Sequence, residues 1–128
     1  MEKSGPRFAV LIVALINAIL HAILARFIVY SLLSGLYFLV TAILFAAGGI
    51  AAMSSGKLSK PAIVGLFLLA LIDNVLIYIT ASLATPLSGG QAYGWSTDLN
   101  PPGQVPVFII QVILILLTAV LLSKRKAT

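Results

Sequence analysis

The stretch Phe8–Met53 reads FAVLIVALINAILHAILARFIVYSLLSGLYFLVTAILFAAGGIAAM, and it decides the fold. It carries one charge, Arg26, and the chain's single histidine, His21. As one helix it would be about 69 Å long at 1.5 Å per residue. A bilayer core is about 30 Å thick, and about 20 apolar residues cross it. The run therefore has to fold back. Arg26, Tyr30, Ser31, Ser34 and Gly35 cluster in its middle and place the turn between Arg26 and Gly35. One apolar helix then runs from Phe8 to about Tyr30, and a second from about Leu32 to Met53.

Two further apolar runs follow, Pro61 to about Ala84 and Val105 to Leu122. Between the second and third lies Ser54-Ser55-Gly56-Lys57, and Ser59 stands where it can cap the third helix, with Pro61 in the first turn. The segment 82–104 reads as a polar loop with Pro86, Gly89-Gly90, Pro101-Pro102 and Gly103, and Pro106 opens the fourth helix. Tyr93 and Trp95 sit in that loop, where aromatic rings favour an interface. The expected architecture is all-α: four hydrophobic helices in two tandem antiparallel hairpins, within one domain. Hairpin 1 covers about 8–53, a basic connector 54–60, hairpin 2 about 61–123, and a basic tail 124–128.

Composition agrees. Of 128 residues 61% are hydrophobic and 9% charged, and the mean hydropathy is +1.16. A soluble domain is about 45–50% apolar and about 25% charged. A soluble enzyme and a disordered tail are both excluded; the chain belongs in lipid or in a large apolar assembly. With no cysteine there is no disulfide, thiolate metal site or thiol nucleophile. No phosphate-binding glycine loop or paired carboxylates occur, so no catalytic, metal or cofactor site is expected. Lys3 and Arg7 before an apolar run resemble the start of a signal peptide, but no A-x-A-like cleavage site follows, so the first run is expected to be retained.

The net charge of +5 is unevenly placed. Lys3 and Arg7 precede the first helix, Lys57 and Lys60 lie between the second and third, and Lys124, Arg125 and Lys126 follow the fourth. In a four-span chain all seven fall on one side, with Arg26 the exception. The long loop on the other side holds only Asp98. By the positive-inside rule both termini face the cytoplasm. This basic face suits anionic lipid headgroups, and it equally suits nucleic-acid phosphates.

The hairpins resemble each other. Ala14-Leu15-Ile16-Asn17-Ala18-Ile19-Leu20 matches Ala70-Leu71-Ile72-Asp73-Asn74-Val75-Leu76 at four of seven positions, and polar Asn17 aligns with Asp73. Phe38–Leu44 matches Phe108–Leu114 at three, and Thr41 aligns with Gln111. A tandem repeat of one helical hairpin accounts for both. Counted at 1.5 Å per residue from the basic side, Asp73, Thr41 and Gln111 lie about 18 Å deep and His21 about 20 Å. Asn17 and Asn74 lie close by. Each helix thus carries a polar side chain near the midplane. Such a layer can relay a proton through Asp73 and His21, or it can fix helix register by hydrogen bonds. Near the end of the second helix, Gly48-Gly49 and the surrounding alanines point to close helix packing.

The second hairpin carries a resemblance. Val64-Gly65-Leu66-Phe67-Leu68-Leu69-Ala70-Leu71-Ile72, a Ser/Gly/Thr/Asn-rich loop, Val105-Pro106-Val107-Phe108-Ile109-Ile110 and a Lys-rich end resemble the major coat proteins of spindle-shaped archaeal viruses, the fusellovirus and bicaudavirus groups. The likeness covers about residues 61–126; the first hairpin enters through the internal repeat. It implies a structural coat protein of the virion that assembles with many copies of itself and with lipid. The basic face would then meet double-stranded DNA without reading its sequence. The alternative is a small cellular four-span membrane protein, a transporter or accessory subunit, with a midplane Asp73/His21 site.

Overall fold

The computed structural model describes residues 4–25, 32–54, 57–84, 90–92, 94–95, 97 and 104–127. Four helices make up the fold: α1 (Ser4–Leu24), α2 (Leu32–Met53), α3 (Ser59–Ser82) and α4 (Gln104–Ala127). Each contains a stretch of 20–24 residues long and apolar enough to cross a membrane. Helix α1 packs on α2 and α3 on α4, as two hairpins require, and the ring closes through α1 with α4 and α2 with α3. The start of α1 and the end of α4 lie at the same end of the bundle, where Val10, Ala52, Ile63 and Leu121 belong to the apolar core.

The buried positions explain the packing. On α4 they are Gln104, Val107, Gln111, Leu114, Thr118 and Leu121, a strict alternation of three and four residues. On α3 Ser59, Ile63, Leu66, Ala70 and Asp73 follow the same rhythm, as do Ala42, Phe45, Gly49 and Ala52 on α2. This is the seam of nearly antiparallel helices interlocking side chains along a shared axis. Polarity runs opposite to a soluble bundle. The seam buries Asn17, His21, Asp73, Asn74 and Gln111, whereas large apolar residues such as Leu33, Ile43, Ile72, Ile109 and Leu116 point outward.

Glycine permits the close approach of α1 to α2. A Cβ on Gly49 would stand 2.9 Å from the Ala14 Cβ, so α1 and α2 meet there only because both residues are small. At the basic end Arg7 donates from Nη1 to the Ser54 carbonyl at 3.2 Å and to Ser59 Oγ at 3.5 Å. At the loop end Gly94, at φ +82°, donates its N–H to the Ala81 carbonyl. Trp95 Nε1 donates to Ser82 Oγ at 3.0 Å, and the indole meets Phe108 edge-on at 5.3 Å.

Several local expectations change. Ser59 does not cap α3: the N-cap is Leu58, and the Ser59 hydroxyl donates to the Ala52 carbonyl at 3.0 Å. A bond across the connector replaces a bond within the helix. The described α1 ends at Leu24, short of Tyr30, while α2 starts at Leu32 as expected and holds Ser34 and Gly35 inside the helix; the turn residues 26–31 lie outside the described residues. Pro106 is the third residue of α4. The 124–128 tail does not leave the bundle at once, because α4 continues to Ala127. Lys124, Arg125 and Lys126 thus lie on its last turn, where cations complement the helix dipole. Lys3, Arg26, Tyr93, Asp98 and the side chains of Lys124, Arg125 and Lys126 lie outside the described residues.

Candidate functional site: a buried His–Asp pair with Tyr37 at its rim

At mid-height the seam positions of α1 and α3, diagonal partners in the ring, carry His21 and Asp73. Their side chains meet at 3.0 Å, His21 Nε2 to Asp73 Oδ2. His21 is 0% exposed and Asp73 3%. The other ring nitrogen, Nδ1, lies 2.8 Å from the Asn17 carbonyl, one turn back on the same helix. The Tyr37 hydroxyl of α2 donates to the second carboxyl oxygen, Asp73 Oδ1. Phe45 and Phe38 flank the imidazole, with ring centroids 5.2 and 6.1 Å away. These apolar rings line the imidazole, which is fully buried.

Proton counting follows from the acceptors. A carbonyl oxygen only accepts, so Nδ1 must donate to Asn17. Nε2 then faces a carboxyl oxygen at hydrogen-bond distance, and two lone pairs cannot share that gap. One proton must lie between them. It can reside on the ring, as imidazolium and carboxylate, or on Asp73, as acid and neutral ring. Either arrangement leaves the centre with zero net charge, which limits the cost of burying it. Losing that proton would leave a buried negative charge facing a lone pair.

A second set of bonds ties the hairpins together. Asn74 Nδ2 donates to the Phe108 carbonyl at 3.3 Å, which fixes the amide's orientation. Asn74 Oδ1 must then accept from Gln111 Nε2, and Gln111 Oε1 from Asn17 Nδ2 at 3.0 Å. The row of donors runs one way, from Asn17 to the Phe108 carbonyl, and Asn17 Oδ1 at its start is a buried acceptor without a hydrogen-bond partner. That oxygen belongs to the residue whose carbonyl holds the His21 ring.

Of the expected polar layer, Asn17, His21, Asp73, Asn74 and Gln111 come together. Thr41 does not join them. It is buried at that level, but its hydroxyl donates to the Tyr37 and Phe38 carbonyls of its own helix at 2.8 and 3.0 Å. A threonine in an apolar helix satisfies itself this way whenever no acceptor stands opposite. Thr80 and Thr118 do the same. The depth count does not single out Tyr37, although it precedes Thr41 by one turn and so shares its face. Of the basic residues, Arg7 turns inward to the connector, while Lys57 and Lys60 are exposed. Comparison with family models, with curated proteins and with solved structures found no match.

Proposed function

We propose that the protein is a four-span integral membrane protein whose interior centre, His21, Asp73 and Tyr37, takes up and releases a proton. The observation that supports this reading is the setting of both His21 nitrogens against oxygen atoms, Nδ1 at the Asn17 carbonyl and Nε2 at Asp73 Oδ2, inside a bundle with an apolar exterior. His21 and Asp73 hold the proton. Tyr37, 36% exposed, bonds the carboxyl from the rim of the bundle and links the buried pair to the outside. Asn17, Gln111 and Asn74 lock the helices in register around it. On the basic side of the layer Phe45, Ala70, Leu66, Leu114 and Ile63 fill the seam, and the hydroxyls of Thr118 and Ser59 there are spent on the Leu114 and Ala52 carbonyls. Proton exchange in this conformation therefore runs through Tyr37 toward the loop side. The centre accepts a proton on one side and needs a conformational change to pass it on, as a proton-linked transporter or a proton-handling subunit does.

The test is proton movement in liposomes. Reconstituted protein enclosing a pH-sensitive dye should carry protons after a pH jump, and Asp73→Asn should abolish the movement. Equal rates for the two proteins contradict the proposal.

A second reading rests on the resemblance of residues 61–126 to spindle-shaped virus coat proteins and on the large apolar residues exposed on every helix. In that reading many copies bury these surfaces against one another and against lipid within a virion, and the basic face meets DNA. The purified protein then forms helical or spindle-like homopolymers in electron micrographs, and it binds DNA in a salt-sensitive way that is lost when Lys124, Arg125 and Lys126 become glutamine. Dispersed particles that bind no DNA support the membrane reading.

A further inference from the structure

The outer groove between α2 and α3 is independent of the proton centre. It has a volume of about 540 Å³, and its lining residues are all apolar. Its shape comes from small residues: Gly48 and Ala51 on α2, and Ala62 and Gly65 on α3. Gly48 approaches α3 so closely that a Cβ there would meet the Leu66 side chain at 2.7 Å. A Cβ on Gly65 would meet nothing within 4 Å, so Gly65 opens onto the groove.

The groove has a definite length. It begins at Leu58, at the basic end, and reaches Leu69. Eleven residues of helical rise cover about 16 Å, which is about half of a 30 Å hydrocarbon core. The groove thus spans one leaflet. Toward the midplane the Tyr37–Asp73 bond draws α2 and α3 together. A helix of a second copy would need a seat running the whole length of the bundle, whereas one lipid chain needs a seat one leaflet deep. Charge marks the mouth. Lys57 and Lys60, both exposed, immediately precede Leu58 and Pro61, which line it. Among the described residues no acidic side chain lies on the connector beside them.

We infer that this groove binds one anionic phospholipid of the basic-side leaflet, with a hydrocarbon chain between α2 and α3 and the headgroup phosphate at Lys57 and Lys60. The site rests on the membrane embedding proposed above and not on the proton chemistry. It makes the connector between the hairpins sensitive to the lipid composition of one leaflet.

The test is native mass spectrometry of protein taken from nanodiscs holding equal phosphatidylglycerol and phosphatidylcholine. The wild-type protein should retain one phosphatidylglycerol in preference. Lys57→Gln and Lys60→Gln should each reduce that preference about fivefold. Gly65→Leu fills the groove from a position with free space, in a helix that leucine favours, and should abolish retention while leaving the helical circular dichroism unchanged. Equal retention of the two lipids by wild-type protein, or undiminished retention by Gly65→Leu, overturns the assignment. A dimer lost in Gly65→Leu also overturns it and gives the groove to a second copy. Failure of the protein to enter nanodiscs at all would overturn the membrane reading as well.

Discussion

Replacing Asp73 by asparagine and by alanine should have sharply different consequences for stability. The carboxyl group makes two buried bonds, one through the proton shared with His21 Nε2 and one from the Tyr37 hydroxyl. Asparagine keeps both. Its Nδ2 can donate to a neutral His21 ring whose Nδ1 still donates to Asn17, and its Oδ1 can accept from Tyr37. The shared proton is gone, yet no polar atom is stranded, so the loss should stay below about 1 kcal/mol. Alanine removes both bonds and leaves the fully buried ring without an acceptor or donor at Nε2. Two bonds at about 0.6 kcal/mol, the average between membrane helices, set a floor near 1 kcal/mol. A broken buried ion pair sets a ceiling of about 3–5 kcal/mol. Asp73→Ala should therefore cost roughly 2–4 kcal/mol. The assay is reversible unfolding in mixed micelles with increasing dodecyl sulfate, followed by helical circular dichroism and by Trp95 fluorescence. Equal losses for the two variants would refute the shared-proton geometry, and two losses near zero would refute the pairing itself.

Three other outcomes follow from the same contacts. Gly49→Ala should destabilise by about 1–3 kcal/mol, because its Cβ meets the Ala14 methyl at 2.9 Å, whereas Gly65→Ala, facing open space, should be neutral or stabilise by about 0.5–1 kcal/mol in the same unfolding assay. Arg7→Ala releases the bonds to Ser54 and Ser59, and hydrogen exchange should accelerate at the first turn of α3 while the protection of Asp73 and Asn74 stays unchanged. Tyr37→Phe removes one hydrogen bond to Asp73, at a cost of about 1 kcal/mol, and should slow proton exchange at His21 by closing the link to the rim.

The helices were legible because depth along a helix is linear in residue number. Four runs of spanning length, with cations beside their ends, leave one way to fold. The same linearity puts Asn17, His21, Asp73 and Gln111 at one level. What the spacing did not carry was direction around each axis. The internal repeat aligns Asn17 with Asp73, yet the carboxyl meets His21, one turn further along α1, and Asn17 meets Gln111. Thr41 and Tyr37 show the same limit. Both lie on one face of α2, but only the long side chain reaches α3, and tyrosine in an apolar helix also reads as a residue of the membrane interface. The Ser59 hydroxyl likewise sits where a cap belongs and bonds across the connector instead. Local patterns name the groups at a level, and packing chooses their partners.

The chain has one histidine, so uniform ¹⁵N-histidine labelling reports on a single imidazole. The nitrogen spectrum of His21 in nanodiscs tests the centre most directly. A protonated Nδ1, together with an Nε2 bound to or sharing a proton that disappears in Asp73→Asn, is the predicted result. A ring with a bare Nδ1, or one whose signals match free histidine in water and ignore the Asp73 substitution, would contradict it.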